Sequence, residues 1–178
     1  MGKILSCAIA VVVALTVVCC NSSGCLDNQN SIPLAGFYSM ETKGKVSVRD
    51  INIGGVGAPG DTLLLRGVAA NQVYLPFRAA DNSTAFYFHL VTDADTLGID
   101  TGLNDTISFR YESIPYFASA DCGAMYRYRI TECSHTTLFI DSVAVTDSLI
   151  TNVDMQRIEI YFHDDDDDAD EPESEIEI

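Results

Sequence analysis

AFYFHLV (85–91), TISFRY (106–111) and MYRYRIT (125–131) are the stretches that decide the fold. In each, apolar or aromatic residues alternate with polar ones. That period of two puts successive side chains on opposite faces of a strand. β-Branched and aromatic residues are frequent in them, as strands favour. Six further runs read the same way: GFYSM (36–40), KVSVRDINI (45–53), TLLL (62–65), QVYLPF (72–77), FIDSVAV (139–145) and RIEIYF (157–162). Gly, Asn, Asp and Pro separate them, and no window of eleven or more residues carries an apolar stripe at helical spacing. The chain from Ala35 to Phe162 therefore predicts an all-β domain, an antiparallel β-sandwich (Ig-like or Greek-key) of about 8–9 strands. Pro76 places its strand at an edge or a bulge.

The alternation separates two faces. Val73, Leu75 and Phe77, Phe86, Phe88 and Leu90, Ile107, Phe109 and Tyr111, Tyr126, Tyr128 and Ile130, and Ile158, Ile160 and Phe162 are expected to point inward. Tyr74, Tyr87, His89, Arg110, Arg127 and Arg129 are expected outward, with Arg157 and Tyr161. The first six form a candidate binding face rich in Arg, Tyr and His. The plainer expectation for the same residues is a solvated sheet face, with Arg paired across strands to Glu112 and Glu159.

Outside the alternating region the chain changes character twice. Residues 1–19 read as a signal peptide: Lys3, then an apolar run from Ile4 to Val18, shorter than the roughly twenty residues a membrane span needs. Val17-Val18-Cys19-Cys20 resembles a bacterial lipobox, with Cys20 as the lipidated first residue of the mature chain. That resemblance implies an address outside the cytoplasm, anchored to a bilayer. Residues 20–34 read as a polar tether, 35–162 as the sandwich domain and 163–178 as a disordered acidic tail. The tail holds ten of the 26 acids. The net charge of −16 argues against nucleic acid, which needs basic stripes to neutralise phosphate.

Three cysteines remain beyond Cys20. Cys25–Cys122 would pin the N-terminal segment to the domain, and Cys122–Cys133 would close a short loop. The oxidising address makes one bridge expected; three pairings are open on the residues alone, with Cys25–Cys122 favoured and Cys122–Cys133 the runner-up. No zinc spacing occurs. Asp93 and Asp95 open an oxygen-rich loop, 93–105, that departs from the EF-hand pattern at Leu97 and Asn104. With Asp164, Asp165 and Asp166 in the tail, it is the candidate for weak Ca²⁺ binding. No other cofactor is expected.

Gly55-x-Gly57-x-x-Gly60 matches a dinucleotide fingerprint in letters only. Pro59-Gly60-Asp61 leads into another strand, so the glycines read as a hairpin connection. No Gly-x-Ser-x-Gly or His-Glu-x-x-His occurs, and no catalytic residue is assigned. Asp followed by Ser or Thr and an aliphatic residue recurs at Asp61, Asp95, Asp105, Asp141 and Asp147. It reads as an Asx turn that launches a strand. It also resembles the O-glycosylation acceptor of exported proteins of some Gram-negative anaerobes.

Several segments together carry a family resemblance. They are GCLDNQNSIPLAGFYS (24–39), IGGVGAPGD (53–61), VYLPFR (73–78), IPYFASADCGAMYRYRI (114–130), IDSVAVTDSLITNVD (140–154) and IEIYF (158–162). Residues 20–162 resemble an uncharacterised lipoprotein family of Bacteroides-type gut bacteria, while the acidic tail departs from it. The resemblance supports Cys25–Cys122 and leaves Cys133 as the extra thiol. It brings no activity. The expected function is a non-enzymatic binding or structural module, lipid-anchored to the periplasmic face of the outer membrane. Its expected partner is an unknown envelope protein or glycan.

Overall fold

Ten strands form two packed sheets in the computed structural model, which describes residues 30–59, 62–92, 104–119 and 123–163. They are β1 (Leu34–Ser39), β2 (Val48–Gly55), β3 (Leu63–Ala70), β4 (Gln72–Tyr74) and β5 (Ser83–Leu90), then β6 (Asn104–Ser119), β7 (Gly123–His135), β8 (Ile140–Val145), β9 (Leu149–Ile150) and β10 (Gln156–Phe162). One sheet has the order β4-β1-β10-β8, the other β3-β2-β5-β6-β7-β9. The fold is a β-sandwich, with no α-helix among the described residues.

Phe37, Ile160 and Ile158 from the smaller sheet pack with Ile53, Phe88, Ile107 and Phe109 from the larger, all fully buried. The inward expectations hold except at two places. Leu90 is half-buried, and Tyr126 is 44% exposed. Tyr126 lies where β6 and β7 run on past the end of the sandwich. β5 ends opposite Arg110, while β6 and β7 stay paired out to Ser119 and Gly123. The result is a two-stranded arm. Pro115 sits in it, beyond the reach of β5, where β6 has a free edge and tolerates a missing N–H. The expected strand end at 111 is thus an understatement by eight residues.

Two further differences have plain causes. β1 and β10 pair in parallel, Phe37 opposite Ile160, because both run from the same pole and the whole domain serves as their crossover. Arg157, expected outward, is buried. Its guanidinium donates to the Leu149 carbonyl and lies 3.7 Å from the Asp147 carboxylate. It holds the turn between β8 and β9. Asp147 also accepts from the Leu149 N–H, the Asx turn expected there. Asp105 and Asp141 lie inside β6 and β8 and launch nothing. Pro76 follows β4, an edge strand of its sheet, as the proline requires.

Asp105 is the least expected core residue. It is fully buried, and its carboxylate accepts from the Thr136 hydroxyl and the N–H groups of Leu138, Phe139 and Ile140. A single side chain on β6 thereby fixes the turn that carries the chain from β7 into the other sheet.

Candidate binding face

Outward residues of β5, β6 and β7 form a grid set by register. Ser83 lies opposite Arg110, which lies opposite Glu132; Ala85 lies opposite Ser108, which lies opposite Ser134. The short side chains leave a hollow of about 370 Å³ floored by Ser83, Ala85, Ser108 and Ser134 and walled by Arg110 and Glu132. A second hollow of about 370 Å³ lies beyond Arg110, against Asn82 and Thr131. The register shift between Arg110 and Tyr111 sits between the two. There, Thr131 and Glu132 are consecutive and both exposed, as an extra bulge residue produces. Arg110 Nε is 3.4 Å from Glu132, so the cross-strand pairing expected of the arginines occurs here, with Glu132 as partner. Both side chains are well exposed, and such a pair contributes at most about 1 kcal/mol.

The six expected face residues do not share one surface. Tyr74 belongs to the other sheet, where its hydroxyl donates to the Asp154 carboxylate at 2.9 Å. That hydrogen bond, with desolvation and the negative charge, raises its pKa. Tyr87 leans away from the hollow, over Gly54 of β2: a Cβ at Gly54 would lie 2.6 Å from the ring. The glycine makes room for the tyrosine, and any side chain there would displace it. His89, opposite Asn52 and Asn104, is half-buried. Arg127 and Arg129 lie along the arm, the first over the Tyr116 ring at 5.5 Å and the second opposite Glu112. Of the six, Arg110 alone borders the hollow. Its companions Ser83, Ser108, Glu132 and Ser134 escape sequence reasoning because only register brings them together.

Cys20, Cys25 and Cys122 lie outside the described residues, as do Asp93, Asp95, Asp164, Asp165 and Asp166. Among the described residues no group of three or more His, Cys, Asp or Glu is placed to hold a metal ion. The register of β7 is unfavourable to the alternative bridge Cys122–Cys133. Gly123, the described residue next to Cys122, lies at the far end of the arm, and Cys133 lies ten residues along β7 from it, opposite Phe109. In a strand that distance is roughly 33 Å, where a disulfide needs Cα atoms within about 7 Å. Cys133 is a free thiol packed against the core, and burial pushes its pKa up to about 11. Its reaction with iodoacetamide at pH 8 is expected to be slow in the native protein and complete in urea, read by peptide mapping. Rapid native labelling would show that the strand opens.

The glycine fingerprint resolves as a hairpin. Gly55 closes β2, Gly57 adopts φ +68°, and β3 returns antiparallel with Leu63 opposite Gly54.

Fold and face together define a two-sheet β-sandwich with a shallow polar hollow on its larger sheet. Residues 50–162 match the family of unknown function DUF6452, and the chain belongs to that family. The match begins within β2, so β1, a central strand of the smaller sheet, precedes it. No curated protein and no solved structure matches the chain.

Proposed function

We propose that the protein is a lipid-anchored, non-enzymatic binding module of the cell envelope, carried on Cys20 and facing the periplasm from the outer membrane. The Val17–Cys20 lipobox pattern, the apolar run before it and the likeness to Bacteroides-type lipoproteins support the anchor. Cys25–Cys122 is retained as its bridge. The described chain near these cysteines suits it: Leu34, where β1 begins, and Ser119 and Gly123 all lie toward the arm end of the molecule.

The hollow beside Arg110 carries the binding reading. Its serines offer hydroxyl donors and acceptors, and the Arg110–Glu132 pair offers both a cation and a carboxylate. Such a surface suits a hydroxyl-rich chain, an envelope glycan before an envelope protein. A photo-crosslinking residue at Ser108 is expected to capture a glycan or protein partner in intact cells, with Leu138 at the opposite pole giving none. Cys20→Ala is expected to release the protein from the membrane fraction. Equal labelling at both positions would end the binding reading, and membrane retention of the alanine variant would end the anchor.

A further inference from the structure

The arm leaves an apolar face uncovered. In the sandwich, the inner side of β6 and β7 is covered by the smaller sheet. Past Tyr128 that cover ends, and the same side of the arm presents Pro115, Phe117, Ala124 and Tyr126. Phe117 is 71% exposed. Val153 and Met155, in the loop from β9 to β10, are also exposed and lie at this pole. That loop is tied to both neighbours: Asn152 accepts from the Tyr116 hydroxyl of the arm, and Asp154 accepts from Tyr74. Large exposed apolar groups gathered at one end mark an interaction surface.

Topology says what that end faces. β1 begins at Leu34, opposite both Tyr74 and Gln156, so the N-terminal segment joins the sandwich at the arm pole. β10 runs parallel to β1 and ends at Phe162, so the chain leaves toward its acidic tail at the opposite pole. Cys20 to Asn30 is ten residue steps, a reach of at most about 35 Å. The arm's overhang beyond Tyr128 is about five residues, or roughly 17 Å. A lipid on Cys20 therefore holds the arm pole nearest the bilayer, with Phe162, where β10 ends, at the far pole.

Resting on the anchor proposed above, we propose that the β6–β7 arm is a membrane-facing element. Phe117 and Tyr126 lie in the headgroup–acyl boundary and fix the orientation of the sandwich. A lone exposed apolar group contributes little there. Beside a lipid anchor it needs only to orient, because tethering has already removed most of the entropy of approach. The hollow at Arg110 then faces sideways, clear of the bilayer.

The chain contains no tryptophan, so a single one reports its own surroundings. The lipidated full chain carrying Phe117→Trp, Tyr126→Trp or, as the opposite-pole control, Leu138→Trp is reconstituted into phosphatidylcholine vesicles with and without brominated acyl chains. The two arm probes are expected to shift blue and lose about twofold or more of their fluorescence to bromine, with the Leu138 probe unchanged. Arm probes that stay unquenched on protein that floats with the vesicles would overturn the arm proposal and leave the anchor standing. Equal quenching of all three probes would overturn it as well. Protein that does not float would remove the anchor and the proposal with it.

Discussion

Replacing Asp105 with alanine is expected to destabilise the sandwich by about 3–5 kcal/mol, the largest effect of any polar substitution in the described structure. The carboxylate serves three backbone N–H groups and one hydroxyl, and it is fully buried. Phe139 and Ile140 are buried too, so their N–H groups find no water when the acceptor is removed. Each such orphan costs about 1–3 kcal/mol, and hydrogen bonds to a charged acceptor are the stronger kind. Asp105→Asn keeps the shape but turns one acceptor into a donor that faces donors, so it is expected to be nearly as damaging. Burial alone would raise the Asp105 pKa, but the bonds from Thr136, Leu138, Phe139 and Ile140 more than offset it, and the net direction is down. A depressed folded pKa gives stability that is fully present above the ordinary carboxylate range, about pH 4, and lost as pH falls through the lowered value. Urea midpoints at pH 7 and pH 3 check both parts. The wild type should lose more stability on acidification than Asp105→Asn does. A loss under about 1 kcal/mol at pH 7, or equal acid sensitivity, would show that the turn finds other acceptors.

Asp105 also shows where sequence reading stops. Asp105-Thr106-Ile107 looks like four other triplets, and at Asp147 the expected Asx turn is there. What separates the two is a partner more than thirty residues away, which no local pattern encodes. The alternation itself was legible. Val73, Phe86, Phe88, Ile107, Phe109, Ile158 and Ile160 all point inward because a half-buried strand must keep its apolar residues on one side, and Leu75 and Phe77 keep the same alternation just past the end of β4. The alternation at Tyr126 was read correctly too, but the sheet that should cover that side ends before it. Arg157 fails for the opposite reason: the chain folds back over it. The candidate site was least legible of all. Ser83, Ser108 and Ser134 are unremarked in three separate segments, and they meet only through register and the bulge at Thr131.

The second large effect is expected at Phe77. This residue lies in the segment that carries the chain from β4, in the smaller sheet, to β5, in the larger. No hydrogen-bond ladder holds it there; rings do. Phe77 stacks on Tyr111 at 4.3 Å and meets Phe109 at 5.3 Å and Tyr128 edge-on at 5.6 Å. Tyr111 in turn closes on the next residue of the crossover: its hydroxyl donates to the Arg78 carbonyl and accepts from the Arg78 N–H. The ring and the hydroxyl thus fasten the same crossover by different means, and the sizes of their effects tell which matters more. Phe77→Ala leaves a space bounded by three rings on two paired strands, which cannot collapse to fill it. Such truncations cost about 3–5 kcal/mol, of which the ring pairs themselves supply about 0.5–1.5. Tyr111→Phe keeps every ring contact and removes only the hydroxyl, so about 1–1.5 kcal/mol is expected. Phe77→Leu, which retains most of the volume, should fall between them. Denaturant midpoints of the three variants measure this order. If Tyr111→Phe proved the costlier change, the crossover would be held by its hydrogen bonds, with Phe77 merely filling space. Because Tyr111 stands next to the base of the arm, that result would also make the arm's position depend on a single phenol.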